Sequence, residues 1–179
     1  EQEQEQEQEQ EQEQEQELEF LVSNLWMSSH TTTVSPLHYD DYENLLFQIE
    51  GEKEFLLFPP ADYPNLYYTG RPKGKLRYEY PGNFTRDART LDKRSYLFAS
   101  SVHIDSPDYV KHPLYHRATP VRAHLRPGDV LFVPAYWHHE VQSVPSPDQP
   151  GDGPGTGGMN IAMNVWFANL SFPDVPGML

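Results

Sequence analysis

From Leu18 onward, apolar and polar positions fall into short runs separated by Pro, Gly, Asn and Asp. The runs are rich in Val, Ile, Leu, Phe, Tyr and Thr, which are favoured in β-strands, and turn-forming residues stand where they meet. This pattern predicts strands at 20–28, 31–38, 44–50, 54–58, 121–125, 129–134, 139–144 and 160–168. Many short strands with few helix signals indicate an all-β barrel or jelly roll.

Three segments depart from this strand pattern. Residues 59–118 are long, aromatic and rich in proline, and we expect one or two short helices there, near 60–67 and 108–115. Residues 145–158 are rich in Pro and Gly and predict a flexible loop. Residues 1–19 are dominated by a Glu-Gln repeat that has no apolar face to bury, so we interpret them as a solvated tail or transient helix. The domain division expected from the sequence is therefore a tail, 1–19, and one folded core, 20–179.

The net charge of −14 says little about the kind of partner, because the acidic residues are unevenly distributed. Ten of the 27 acidic residues lie in the tail, leaving 17 against 13 basic residues. We find no basic stripe of the kind that binds nucleic acid, so a nucleic-acid partner is not expected. The absence of cysteine excludes disulfides and thiolate sites. We find no apolar run long enough to span a membrane and no secretory signal, so we expect an intracellular protein, in the nucleus, the cytoplasm or both.

A candidate metal site begins with His38-Tyr39-Asp40. Side chains at i and i+2 of a strand share a face, so His38 and Asp40 can point inward together. Two histidines and one carboxylate form the ligand set of non-haem Fe(II) oxygenases. His138 and His139 both offer the second imidazole, and periodicity alone does not choose between them or exclude a structural histidine pair.

Lys53 is a second candidate, because it stands between a compact turn at 50–52 and the strand predicted at 54–58. A lysine on a strand usually faces solvent. If Lys53 points into the barrel, its ammonium group requires an anion, since an unpaired buried charge is very costly.

Four blocks resemble the JmjC hydroxylases, in the order that this family has them. The blocks are residues 31–58, Pro59-Pro60, residues 127–134 and residues 162–167, and the resemblance spans about 20–170. It is nearest to the subgroup that contains a lysyl hydroxylase and the asparaginyl hydroxylase that inhibits hypoxia-inducible factor. The resemblance implies a double-stranded β-helix, Fe(II) as cofactor and 2-oxoglutarate as cosubstrate.

The resemblance also implies roles for individual residues. His38 and Asp40 match two iron ligands, and the third, five residues past Pro134, is His139; His138 stands where many relatives have Trp or Phe. Lys53 matches the lysine that pairs with the distal carboxylate of 2-oxoglutarate. The remaining implied cofactor-pocket residues, for which ordinary strand packing is the alternative, are Ser35, Asn44, Asn164 and Trp166. No catalytic residue beyond the metal ligands is implied.

The function implied is hydroxylation of a side chain in a protein or peptide substrate. Histone lysine demethylation, tRNA modification and a non-catalytic cupin-like binding module are the alternatives. Relatives carry an N-terminal region with extra strands, and here the Glu-Gln tail stands in that place. Many also continue into C-terminal dimerisation helices, so a homodimer is expected only of a longer chain.

Overall fold

The computed structural model describes residues 18–29, 31–73, 76–86, 92–147 and 158–169. The Glu-Gln repeat of residues 1–17 and most of the predicted loop, 148–157, lie outside these ranges. Within them the chain forms twelve β-strands: β1 (Leu18–Ser29), β2 (Thr33–His38), β3 (Glu43–Glu50), β4 (Glu52–Phe58), β5 (Tyr68–Lys73), β6 (Leu76–Glu79), β7 (Asn83–Arg86), β8 (Asp92–Ser100), β9 (Val121–Leu125), β10 (Val130–Val133), β11 (His138–Val144) and β12 (Met159–Asn169). No helix among the described residues is long and apolar enough to cross a membrane.

Eight of these strands form two four-stranded antiparallel sheets. The first sheet has the order β1-β12-β3-β10 and the second has the order β2-β11-β4-β9. Each of these strands overlaps one predicted from the sequence, with ends that differ by up to two residues. The all-β jelly-roll fold is thereby confirmed.

The second sheet packs against an apolar cluster on each of its faces. Its inner face contributes Phe55, Leu57 and Leu125 to a core cluster that also takes in Leu46 of the first sheet. Its outer face is covered by the segment between β4 and β9, where Leu66 joins a separate apolar cluster; the strand residues of that cluster are Leu37, Leu56 and Phe58. The second half of β4, Phe55–Phe58, is therefore a continuous apolar run, as a strand segment covered on both sides should be.

The segment 59–118 was only partly predicted. The helix expected near 60–67 is a 3₁₀ helix at Pro60–Asn65, but the second expectation was wrong: 108–115 forms turns, with a single 3₁₀ turn at Tyr115–Arg117. The segment also contains four strands that the sequence reading missed, paired as β5-β8 and β6-β7. Two of these strands are only four residues long, and β5 contains Gly70 and Pro72, so neither alternation nor propensity marks them.

Candidate metal centre

Three potential ligand side chains meet inside the barrel. His38 ends β2, Asp40 lies two residues beyond it, and His139 lies in β11 directly across from His38. One ligand atom from each of the three lies within 4.8 Å of the others. The Nε2 atom of His139 is 3.7 Å from an Asp40 carboxylate oxygen, and the two imidazole centroids are 4.3 Å apart. Two strands of one sheet thus assemble two imidazoles and a carboxylate.

An irregularity in β2 directs His38 inward. The register between β2 and β11 shifts by one residue between the pairs His139–His38 and Val141–Ser35, which places Pro36 and Leu37 in a β-bulge. The bulge lets Ser35 and His38 both face the cavity although they are three residues apart, while Leu37 packs into the outer cluster. Bulges commonly re-aim a side chain beside a functional site, and proline is tolerated at them.

Backbone carbonyls orient both imidazole rings. The Nδ1–H group of His38 donates to the carbonyl of Pro36 at 2.7 Å, and that of His139 donates to the carbonyl of Trp137 at 3.0 Å. A carbonyl can only accept, so the proton of each neutral ring resides on Nδ1 and the lone pair on Nε2. This second contact of a histidine ring is the arrangement usual around protein-bound metals.

The electrostatic surroundings suit a cation. Burial, reinforced by the nearby His38, lowers the pKa of His139 to about 3, so that its ring is neutral and able to ligate. Burial also raises the pKa of Asp40, an effect that His38 partly opposes. A divalent ion would offset the cost of placing that carboxylate in the protein interior. The donor set and its protonation therefore fit a metal ion.

The turn between β10 and β11 is hydrogen-bonded to the end of the His38-Tyr39-Asp40 segment. Tyr136, which has a positive φ of 64°, donates its backbone N–H to the carbonyl of Asp40 at 2.8 Å. In the same turn, the backbone N–H of Ala135 donates to the Glu43 carboxylate at 3.0 Å. These contacts hold the turn between β10 and β11 against the segment that joins β2 to β3.

His138, the neighbour of His139, points to the opposite face of the sheet. It is 2% exposed, and its Nδ1 lies 3.0 Å from the Tyr68 hydroxyl. Rings of Tyr39, Tyr63 and Tyr68 surround it at centroid distances of 5.2–5.9 Å. The structure therefore places His138 in the packing of the 59–118 segment and away from the three clustered ligands.

Lys53 is buried in the cavity without a carboxylate partner. It is 6% exposed, and its ammonium group donates to the Ser143 hydroxyl, which lies opposite it on β11, at 2.5 Å. Within the described residues it forms no ion pair, and desolvation lowers its pKa to about 8. A buried cation without a counter-ion is a site for an anion.

The eight residues singled out in the sequence line a single cavity of about 200 Å³. It reaches from the three potential ligands to Lys53. The sequence reading missed nine further lining residues: Trp26, Met27, Ser28, Thr33, Leu46, Phe55, Val141, Ser143 and Asn160. Alternation from His139 would have found Val141 and Ser143, since i, i+2 and i+4 share a face.

Several polar atoms of the cavity wall have no partner among the described residues. They are the Ser28 hydroxyl, the Asn44 side-chain oxygen and the Trp166 indole N–H, all buried. Buried polar groups in proteins are nearly always hydrogen-bonded. A polar ligand in the cavity would offer hydrogen-bond partners to this part of the wall.

A jelly roll whose interior carries two histidines and a carboxylate defines the cupin class of metal-binding barrels. The chain belongs to the Cupin-like domain family, whose profile matches residues 2–171.

Three relatives illustrate the range of this family. The human bifunctional peptidase and (3S)-lysyl hydroxylase JMJD7 is 32% identical over 146 residues, 80% of this chain and 40% of that protein. The Arabidopsis thaliana lysine-specific demethylase JMJ32 is 31% identical over 150 residues, 80% of this chain and 41% of its own length. The Gallus gallus tRNA wybutosine-synthesizing protein 5 is 32% identical over 133 residues, which are 74% of this chain and 30% of that protein. The chain thus spans at most about two fifths of the length of these relatives. The family match confirms the resemblance to the JmjC family found in the sequence.

Proposed function

We propose that this chain is the core of an Fe(II)- and 2-oxoglutarate-dependent dioxygenase that hydroxylates a side chain of a protein substrate. The observation that carries the proposal is the pairing, in one cavity, of a fitting metal-ligand set with a buried lysine that lacks an anion. A metal ion alone would not require Lys53, and a simple anion site would not require the three ligands. A 2-oxo dicarboxylate would account for both, with its 2-oxo acid end at the metal and its distal carboxylate at Lys53.

His38, Asp40 and His139 would hold the metal through Nε2, a carboxylate oxygen and Nε2. Three protein ligands leave the remaining coordination positions open to exogenous ligands. When bound, Fe(II) would supply the activation of dioxygen. The protein's own contribution is to fix both rings by their Nδ1–H groups and to hold the Asp40 carboxylate beside them.

Lys53 would bind the distal carboxylate of the cosubstrate, with Ser143 and Ser35 on the same wall. A charge-assisted hydrogen bond in a water-poor pocket is stronger than one in solvent. The anion would also restore the pKa of Lys53 toward its ordinary value, so the lysine remains charged throughout. Asn44, Asn164 and Trp166 would complete the wall with amide and indole groups.

The three relatives are named for three different reactions. Among the three relatives, one is named for lysyl hydroxylation, one for lysine demethylation and one for tRNA modification. We favour protein hydroxylation because the matched blocks resemble the small hydroxylases. Incubation with protein extracts would distinguish the outcomes: hydroxylation adds one oxygen atom to a peptide, while demethylation releases formaldehyde.

The first test is metal binding by two variants that alter neighbouring histidines. His139→Ala should abolish stoichiometric Mn(II) binding, followed by electron paramagnetic resonance, because it removes a ligand. His138→Phe keeps an aromatic ring on the opposite face and should bind Mn(II) within about threefold of wild type, since it touches no ligand atom. Equal loss in both variants, or in neither, would contradict the assigned centre.

The second test is turnover. The anaerobically purified protein should convert 2-oxoglutarate to succinate when Fe(II) and oxygen are supplied, and His38→Ala should not. Mn(II) binding without any turnover would support a binding module instead of an enzyme.

A further inference from the structure

The side-chain amide of Asn164 is held from one side by the edge strand β1. Asn164 is 2% exposed and lines the cavity. Its side-chain oxygen accepts two hydrogen bonds, from the Asn24 amide at 3.2 Å and from the Trp26 indole N–H at 3.1 Å. Two donors from one strand therefore converge on one oxygen.

The indole fixes which way this amide points. An indole nitrogen can only donate, so the Asn164 atom beside it must be the carbonyl oxygen. The NH₂ group is then directed away from Trp26. The hydrogen bonds of this side chain to described residues both go to its oxygen, and Asn164 lines the cavity, so the NH₂ group can donate to a ligand there.

The strand register explains why these three residues meet. Asn24 lies directly across from Asn164 in the β1–β12 pair, and Trp26 lies two residues further along the same strand, opposite Ala162. Direct and diagonal cross-strand neighbours are within reach of each other's side chains on a shared face. On the other side of β12, Asn44 lies opposite Trp166, with its oxygen buried and unpartnered.

We propose that Asn24 and Trp26 are positioning residues that lock the Asn164 amide as a hydrogen-bond donor to an oxygen of the bound 2-oxo acid. This inference rests on the proposed function, because it needs the cosubstrate in the cavity. Without the two donors, the amide could rotate and present its oxygen instead. An oxygen facing the oxygens of a carboxylate ligand repels it.

The test measures 2-oxoglutarate binding by calorimetry to the Mn(II)-loaded protein without oxygen, so that turnover plays no part. Trp26→Phe keeps the ring and removes the N–H, and should weaken binding by about three- to tenfold, the usual effect of one neutral hydrogen bond. Asn164→Asp replaces the donor by an acceptor and should weaken it by more than about tenfold. Leu25→Ala, on the exposed face of the same strand, should leave the affinity unchanged.

A double-mutant cycle separates positioning from a general effect on β1. If Trp26 acts through Asn164, Trp26→Phe should weaken binding in the wild-type background but not in an Asn164→Ala background. Asn24→Asp provides a second variant should Trp26→Phe fold poorly. It places a carboxylate against the Asn164 oxygen, favours the rotated amide and should also weaken binding.

The outcomes keep the two proposals apart. Absence of 2-oxoglutarate binding in wild type would overturn the proposed function itself. Binding by wild type and Leu25→Ala with unchanged affinity in Trp26→Phe and Asn24→Asp would overturn the positioning role alone. An equal effect of Trp26→Phe in both backgrounds would likewise overturn it.

Discussion

A single buried lysine links the stability of this fold to the ligand it is built to receive. Lys53 is 6% exposed and has the Ser143 hydroxyl as its hydrogen-bond partner. Its pKa falls from 10.5 to about 8 because burial disfavours the ammonium ion. The ligand-free protein is thus less stable than its packing alone would make it, as expected where a functional site departs from optimal folding.

The pH dependence of unfolding should reveal this lysine. Between pH 8 and 10.5 the unfolded chain keeps a proton on Lys53 that the folded chain has lost, so the free energy of unfolding rises with pH across this window. A shift from 10.5 to about 8 corresponds to roughly 3–4 kcal/mol at about 1.4 kcal/mol per pKa unit. Below pH 8 both states are protonated and the cost is constant.

Lys53→Met is the variant that isolates this contribution. It should raise the free energy of unfolding at pH 7 by about 1–2 kcal/mol, since it removes the buried charge but leaves Ser143 without its donor. It should also flatten the rise above pH 8 and abolish 2-oxoglutarate binding. Urea unfolding at pH 7 and pH 10 measures the difference between the two proteins, and a less stable variant with an unchanged pH profile would contradict this account.

The strand elements show which features of the site follow from sequence periodicity and which do not. In β12, Asn160 and Asn164 lie on the cavity side because they are spaced by an even number of residues, and the same rule brings Ser143 beside Lys53. The bulge at Pro36 and Leu37 breaks this rule, and only pairing with β11 reveals it. Likewise, the hydrogen bonds from β1 to Asn164 depend on the pairing of β1 with β12, in which Asn24 meets a residue 140 positions away in the chain.

The same limit explains the errors in the 59–118 segment. Its strands pair with each other, as β5-β8 and β6-β7, and not with the strands of the two main sheets. Residues 108–115 form turns where a helix was expected. Propensity decides little where a segment is fixed by packing onto an existing surface, as Leu66 is on the outer face of the second sheet.

The turn between β3 and β4 depends on a glycine. Gly51 has φ of +71°, and a Cβ there would come within 2.6–2.8 Å of the Val144 carbonyl, the Asn160 amide and the Met159 carbonyl. Gly51→Ala should therefore lower the free energy of unfolding by about 2–4 kcal/mol, from strain and overpacking together. Gly128→Ala, at φ of +96° with open space around it, should cost about 1–2 kcal/mol from strain alone.

Chemical denaturation of both glycine variants gives the comparison. The difference between the two losses in free energy of unfolding measures the cost of the close contacts that β11 and β12 make with the turn. Equal losses of stability would show that the backbone conformation alone requires glycine at residue 51.

At the scale of the whole molecule, the two sheets differ in how they are covered. The second sheet has apolar clusters on both faces, but the first leaves an apolar row across its outer face: Leu25, Met163, Phe47 and Val130, which are consecutive cross-strand partners. Leu25 is 60% exposed and Val130 is 53% exposed. Contiguous apolar exposure of this kind is unusual on a soluble monomer.

The folded chain should consequently bind a hydrophobic dye such as anilinonaphthalene sulfonate. Leu25→Lys together with Val130→Lys should lower the dye fluorescence by roughly half or more, with less than about 0.5 kcal/mol change in stability, because both side chains are already in water. Val121→Lys is the matched control, since Val121 is 54% exposed but lies on β9 of the other sheet. An equal decrease in the control would place the dye elsewhere.

The adjacent histidines of β11 carry one further consequence, for how the protein can misfold. If β11 slipped by one residue against its neighbours, every side chain would change face. His138 would then enter the barrel in place of His139, and an imidazole would still be offered to a metal. Ser143 would turn away from Lys53, however. The slipped chain would then still bind a metal ion but would lose the pocket for the 2-oxo dicarboxylate. Metal content is therefore no proof of the native register in a refolded sample, whereas saturable binding of the dicarboxylate is.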